Sequence, residues 1–207
     1  MTKLLYTGLI GLTIGVLIWG KPLQAQDLTS VEEFSLRTPE GDTIKLSDFQ
    51  DQKAVVVVFT SSHCSWATQY IGRLQKLHER YAEKNVSFIA INSNDPTLSQ
   101  RDAEARMHKI AKYKFPYLKD KDQSIARMFG ITKNPEAVVL IPTEEGFKMI
   151  YRGKIDDNPL DATMVENAYL NLAIQSALSE TELETETTTP NGCSIKWIEE
   201  DEGASDK

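Results

Sequence analysis

The chain has only two cysteines and three histidines in 207 residues. Cys64 and Cys193 lie far apart and His63, His78 and His108 are scattered, so no ligand spacing for a metal centre is present and no metal site is expected. A framework of several disulfides is excluded too. At most one bridge can form, and spacing alone leaves open whether the two cysteines meet. No segment concentrates lysine and arginine, and the formal charge is −7, which argues against a nucleic-acid partner. No repeat recurs at any solenoid period. The acidity is uneven: residues 180–207 hold nine Asp or Glu against two Lys, so this tail alone accounts for the net charge. Its acidic, Thr-rich start, Glu180 to Thr189, reads by composition as a solvated linker.

The first residues read as an address. Lys3 supplies a positive charge, Leu4 to Gly20 is a run of seventeen apolar or neutral residues, and Lys21-Pro22-Leu23-Gln24-Ala25 ends in a small residue suited to cleavage after Ala25. An uncleaved anchor is the competing reading, at the short limit for crossing a bilayer. Cleavage removes two lysines and no acids, taking the net charge from −7 to −9. An exported, periplasm-type location is expected, with membrane attachment only if residues 1–25 are retained.

What is present centres on Phe59-Thr60-Ser61-Ser62-His63-Cys64-Ser65-Trp66. Ala54 to Phe59 is an unbroken apolar run that predicts a strand buried on both faces. Ala67, Tyr70, Ile71, Leu74, Leu77 and Tyr81 then recur at helical spacing, predicting one helix from about Ser62 to Lys84. Cys64 thus sits where a strand turns into a helix, a position that favours a thiolate and lowers a cysteine pKa below ~8.5. Ser61 could donate a hydrogen bond to that sulfur, and a protonated His63 could raise the thiolate fraction. Free cysteines often merely fill space; the junction favours a redox role over that reading. Trp66 is read as a helix anchor or a substrate contact.

The rest of the chain predicts an α/β layout. Short strands around Phe34–Leu36 and Thr43–Lys45 form an N-terminal hairpin through Pro39-Glu40-Gly41-Asp42. Val86 to Asn92 is a second buried strand, parallel to the first across the helix between them. Ser99 to Lys112 reads as a helix, Phe115 to Leu118 as extended, and Gln123 to Phe129 as a short helix closed by Gly130. Asn134-Pro135 introduces a strand, Ala137–Ile141, which turns at Glu144-Glu145-Gly146 into an antiparallel partner, Phe147–Arg152. A final helix is expected from about Thr163 to Ser179. A crossover unit first and an antiparallel hairpin later is a thioredoxin-like order, with a central mixed sheet flanked by helices and an N-terminal β extension. The organisation expected is a leader at 1–25, one domain at 26–179, and a tail at 180–207 carrying Cys193.

Several segments carry a resemblance: Ala90-Ile91-Asn92-Ser93-Asn94-Asp95, Phe115-Pro116-Tyr117-Leu118, Tyr151-Arg152-Gly153-Lys154-Ile155-Asp156-Asp157-Asn158 and Gly192-Cys193-Ser194-Ile195-Lys196-Trp197. Over roughly residues 31–197 the chain is similar to the peroxiredoxin-like branch of the thioredoxin superfamily, the redoxin or alkyl hydroperoxide reductase/thiol-specific antioxidant group. Members commonly carry Cys-Asn-His-Cys where this chain has Ser61-Ser62-His63-Cys64, so the local dithiol is missing. The remaining Ser-x-x-Cys resembles the Thr/Ser-x-x-Cys of peroxiredoxins, although Val57 stands where those enzymes place a proline. Pro135 resembles the cis-proline that faces the active cysteine in this fold, which would let the Asn134 backbone pair with an extended substrate.

The resemblance implies an exported thiol-dependent oxidoreductase. Cys64 would attack a peroxide or a protein disulfide, Ser61 would stabilise its thiolate and Cys193 would resolve the product. Asn134, Pro135, His63 and Trp66 would line the substrate site. An external thiol would regenerate the protein, and no organic cofactor is implied. The rival reading is a redox-silent binding module in which any Cys64–Cys193 bridge is a staple; the serine at position 61 is its best argument.

Overall fold

The computed structural model of the chain describes residues 30–38 and 40–199. Residues 1–29, where the leader is expected, Pro39 and residues 200–207 lie outside the described residues. Among the described residues no helix is long and apolar enough to cross a membrane.

The apolar run at 54–59, with four β-branched valines at its centre, forms β4 (Ala54–Phe59), buried along its whole length. It lies at the centre of a six-stranded sheet ordered β1-β9-β8-β4-β5-β6. β5 (Val86–Asn92) and β6 (Tyr117–Lys119) run parallel to β4; β8 (Glu136–Thr143) runs antiparallel on its other side. β9 (Gly146–Gly153) pairs with β8, and β1 (Ser30–Val31) with β9. A separate hairpin, β2 (Ser35–Arg37) and β3 (Thr43–Lys45), forms the N-terminal β extension.

Alternation along β4 divides the core in two. Val56 and Val58 face Leu74 of α2 (Ile71–Tyr81), Met107 of α3 (Glu104–Ile110) and Leu170 of α5 (Tyr169–Ser179). Val55, Val57 and Phe59 face α4 (Ser124–Met128) and the apolar side of the hairpin. Helices thus cover both faces of a mixed sheet, a thioredoxin-like α/β fold. With both faces apolar, the C-terminal end of β4 is fixed, and with it the segment that carries Cys64.

Three helical segments are shorter than their periodicity predicts, each because a side-chain hydrogen bond takes over: from buried Tyr70 and Asp102 in two, and from the half-exposed Asp157 in the third. The helix after Cys64 breaks at Tyr70 into α1 (Ser65–Gln69) and α2. Tyr70 donates to Asp156 at 2.7 Å, Arg73 pairs with the same carboxylate at 2.6 Å, and the weak helix former Gly72 lies beside the break. The expected helix over Ser99–Lys112 keeps only α3, because Asp102 turns inward to accept hydrogen bonds. The last helix begins at Tyr169: Asp157 accepts from the Glu166 and Asn167 backbone N–H groups at 3.1 and 2.8 Å and holds the preceding segment as a loop.

The acidic segment expected as a linker lies along the sheet instead. Arg152 N–H donates to Glu186 O at 2.9 Å, and Thr188 N–H to Arg152 O at 3.0 Å. The Thr188 hydroxyl contacts Tyr151 Oη and accepts from Lys154 N–H, both at 2.8 Å. Gly153, at φ +148°, permits this approach, since a Cβ there would stand 2.1 Å from Thr188 Oγ1. Glu182, Glu184 and Glu186 remain exposed while Leu183 and Thr188 turn partly inward. Composition reported the outward residues; the inward ones set the path.

Candidate active site

Cys64 is the residue that caps α1, one turn past the end of β4. It is joined by a disulfide to Cys193, with the Cα atoms 5.9 Å apart across 129 residues of sequence. Cys193 arrives on β10 (Cys193–Ser194), which pairs antiparallel with β7 (Lys133–Asn134), Cys193 opposite Asn134. The Asn134–Pro135 peptide bond is cis. The Asn134 carbonyl oxygen lies 3.3 Å from Cys64 Sγ. The groove beside Pro135, expected to take a substrate strand, therefore holds the chain's own tail. Gly192 is required there because a Cβ would stand 1.9 Å from Asn134 O.

Further along the tail, Ile195 N–H donates to Thr132 O at 3.0 Å and Lys196 N–H to Asn94 Oδ1 at 2.9 Å. Lys196 O accepts from Asp95 N–H and from Gln123 Nε2, both at 2.8 Å, and Ile198 N–H donates to Gln123 Oε1 at 2.8 Å. The Ile195 side chain is only 4% exposed and belongs to the core beneath α4, worth about 1.5–3 kcal/mol for an aliphatic side chain of this size. Trp197 packs over the Arg127 guanidinium at 4.8 Å.

Ser61 sits beneath Cys64 but serves the backbone rather than the sulfur. Its hydroxyl donates to Asp102, 3.0 Å from Oδ1, and its oxygen accepts from His63 N–H at 3.1 Å, Cys64 N–H at 3.3 Å and Asn94 Nδ2 at 2.9 Å. Asp102 is fully buried and also accepts from Ser62 N–H at 2.7 Å and from Asn92 and Asn94 Nδ2 at 2.9 Å. Burial works to raise its pKa, yet the bonds from Asn94, Asn92 and Ser61 outweigh that and hold it below the usual carboxylate range. α1 spans only five residues, so the electrostatic priming anticipated from a long helix is weak here.

His63 and Trp66 are exposed at the same end of α1, Trp66 by 39%. Lys119, at the end of β6, is buried against Asn92 Oδ1 at 3.2 Å and the Asn94 carbonyl, and burial lowers its pKa to about 8. Asp102, Asn92, Asn94, Gln123 and Lys119 were missed as site residues. Asn92 and Asn94 did leave a signal, two amides at and just past the end of a largely apolar strand; Asp102 left none.

The residue after Pro135 is also charged and buried. Glu136 is 1% exposed, 3.2 Å from Arg152 Nε, and burial pushes its carboxyl up to about 7 against that partner's attraction. Between pH ~4.5 and ~7 the folded state holds a proton that the unfolded chain has released, so stability falls as pH rises through that window. Denaturant unfolding at pH 5 and pH 8 is expected to differ by about 2–3 kcal/mol more in wild type than in Glu136→Gln. An identical pH slope in the two proteins would remove Glu136 as the cause.

A cysteine at a strand–helix junction, facing a cis-proline on a mixed sheet covered by helices, places the molecule among thioredoxin-fold redoxins. The chain belongs to the AhpC/TSA family, whose model matches residues 29–154. It is 27% identical over 107 residues to a thiol-disulfide oxidoreductase, ResA, of Halalkalibacterium halodurans, covering 52% of this chain and 58% of the relative. It is 26% identical over 110 residues to peroxiredoxin Bcp of Escherichia coli K12, covering 53% of this chain and 66% of that one. The chain thus spans less than two thirds of either. The crystal structure of a hypothetical protein from Sinorhizobium meliloti 1021 superimposes with a TM-score of 0.74 at 30% identity, over 82% of this chain and 93% of the other.

Proposed function

We propose that this protein is a thiol–disulfide oxidoreductase that cycles between the Cys64–Cys193 disulfide and the dithiol, exchanging electrons with protein disulfides and an external thiol. The observation that carries the reading is the bridge itself, formed at the strand–helix junction beside a cis-proline in a redoxin fold. Exchange with a disulfide is favoured over attack on a peroxide because Cys64 is closed off from solvent and already bonded to a second cysteine. A leader-like start and a bridge formed from the only two cysteines accord with an oxidising, extracytoplasmic compartment.

The rival reading, a silent staple, has the serine at position 61 in its favour. Equilibration of the full chain against thiol–disulfide buffers, read by mass, is expected to give a midpoint within the roughly −120 to −270 mV span of exchange catalysts. Reduction of insulin by thiol is expected to be accelerated by wild type and not by Cys64→Ser. A midpoint below about −300 mV with no acceleration would leave only the staple.

A further inference from the structure

On the exchange reading above, one sulfur of the pair has to meet the partner. The family resemblance makes Cys64 the attacking group and Cys193 the resolving one. Burial points the other way. Cys64 is 1% exposed, closed in by α1, the Asn134 carbonyl and β10, whereas Cys193 is only half-buried on the outer strand of the β7–β10 pair. A thiolate approaches a disulfide sulfur from the side opposite the sulfur it displaces, so access decides which one is attacked. Cys64 offers no such approach.

The tail does not need the bridge to keep its place. Ile195 in the core, Lys196 between Asn94, Asp95 and Gln123, Ile198 on Gln123 and Trp197 over Arg127 are all independent of the sulfurs. Upstream, Thr188 is strapped to Arg152 and Lys154. Reduction leaves these anchors intact, so the groove beside Pro135 stays filled and Cys64 stays covered.

We infer that Cys193 is the partner-facing nucleophile and Cys64 the resolving thiol. The pair is a dithiol assembled from two distant segments, with Cys193 taking the role that the serine at position 61 cannot fill. Asn134 and Pro135 form the seat of the tail rather than a substrate groove. In the reducing direction the Cys193 thiolate attacks one sulfur of the substrate disulfide. A Cys193–substrate bond forms, the substrate S–S bond breaks, and the second substrate sulfur leaves as a thiolate that takes a proton from water. Cys64, as thiolate, then attacks Cys193 Sγ, forming the Cys64–Cys193 bond and expelling the first substrate sulfur. The substrate gains two electrons and two protons, and the protein dithiol loses them; an external thiol reverses the change.

The test uses full-length Cys64→Ser and Cys193→Ser, both reduced, mixed with dithiobis(nitrobenzoate) while release of the thionitrobenzoate anion is followed. Cys64→Ser is expected to react about tenfold or more faster than Cys193→Ser. Adding Ile195→Asp to Cys193→Ser, which unseats the tail, is expected to accelerate the remaining Cys64. Equal rates, or the reverse order, overturn the assignment. So does loss of amide exchange protection at Ile195 and Ile198 on reduction of wild type, because a released tail would bare Cys64. If the order holds while wild type accelerates no disulfide reduction, the exchange reading fails and the assignment of the outward sulfur stands.

Discussion

Asp102→Ala is expected to lower folding stability by about 3 kcal/mol or more, measured by urea unfolding with the bridge intact. The carboxylate is fully buried and takes hydrogen bonds from Ser61, the Ser62 N–H, Asn92 and Asn94. Alanine strands all of these donors away from water, and each orphaned group costs about 1–3 kcal/mol unless the loop rearranges to reach solvent. Asp102→Asn keeps the shape but turns an NH₂ toward donors, so an intermediate loss is expected. The same argument carries a pH sign. The folded-state pKa of Asp102 lies below its unfolded value, so its contribution is fully present above pH ~4 and is lost as pH falls through the folded value. The wild type should therefore lose stability below pH 4 more steeply than Asp102→Asn. A loss under 1 kcal/mol for the alanine variant would mean that the loop from Ser61 to Cys64 is held by something else.

The strands were readable because burial on both faces leaves a mark that local chemistry cannot imitate. Ala54–Phe59 begins and ends where its apolar run does, and Val86–Asn92 runs one residue past its own. Helices were less readable for a reason the same residues explain. Tyr70 continues the apolar period and fits a helix, yet its hydroxyl is claimed by Asp156, far along the chain. Periodicity sees the ring and not the partner. The tail misled in the opposite way: acidic, Thr-rich composition is that of solvated chain, but hydrogen bonding by Thr188 needs only one inward residue in several. β1, two residues long, has too few positions to alternate at all.

At the site, the sequence showed the cysteine and its junction because both are local. It could not show that Ser61 faces Asp102, since nothing in a 41-residue separation encodes that meeting. Ser61 was expected to donate to the sulfur on the strength of its spacing from Cys64; its proton goes instead to the stronger acceptor, a buried carboxylate. The need for Gly192 is plain only in the fold, where Asn134 O closes on it. The roles of the two cysteines turn on burial, which is a property of the folded chain.

Reduction of the bridge is expected to cost about 4 kcal/mol of folding stability without unseating the tail. Closing a loop of 129 residues removes conformational entropy from the unfolded chain, and the chain-entropy relation gives roughly 4–5 kcal/mol at this length. The folded state gains little from the bridge beyond what Ile195, Lys196 and Ile198 already secure. The thermodynamic cycle then fixes a second quantity. Whatever the bridge adds to folding, folding adds to the bridge, so the Cys64–Cys193 potential should lie about 90 mV below that of the same two cysteines in the denatured chain. Urea unfolding of oxidised and reduced protein gives the first number; redox titration in buffer and in concentrated denaturant gives the second. Agreement between them, with amide exchange protection at Ile195 and Ile198 unchanged on reduction under native conditions, is the expected outcome. A bridge loss well below 1 kcal/mol would show that the unfolded chain already holds its ends together. A loss well above 5 would show that reduction releases the tail, and with it the burial of Ile195, so that Cys64 and not Cys193 would meet the partner.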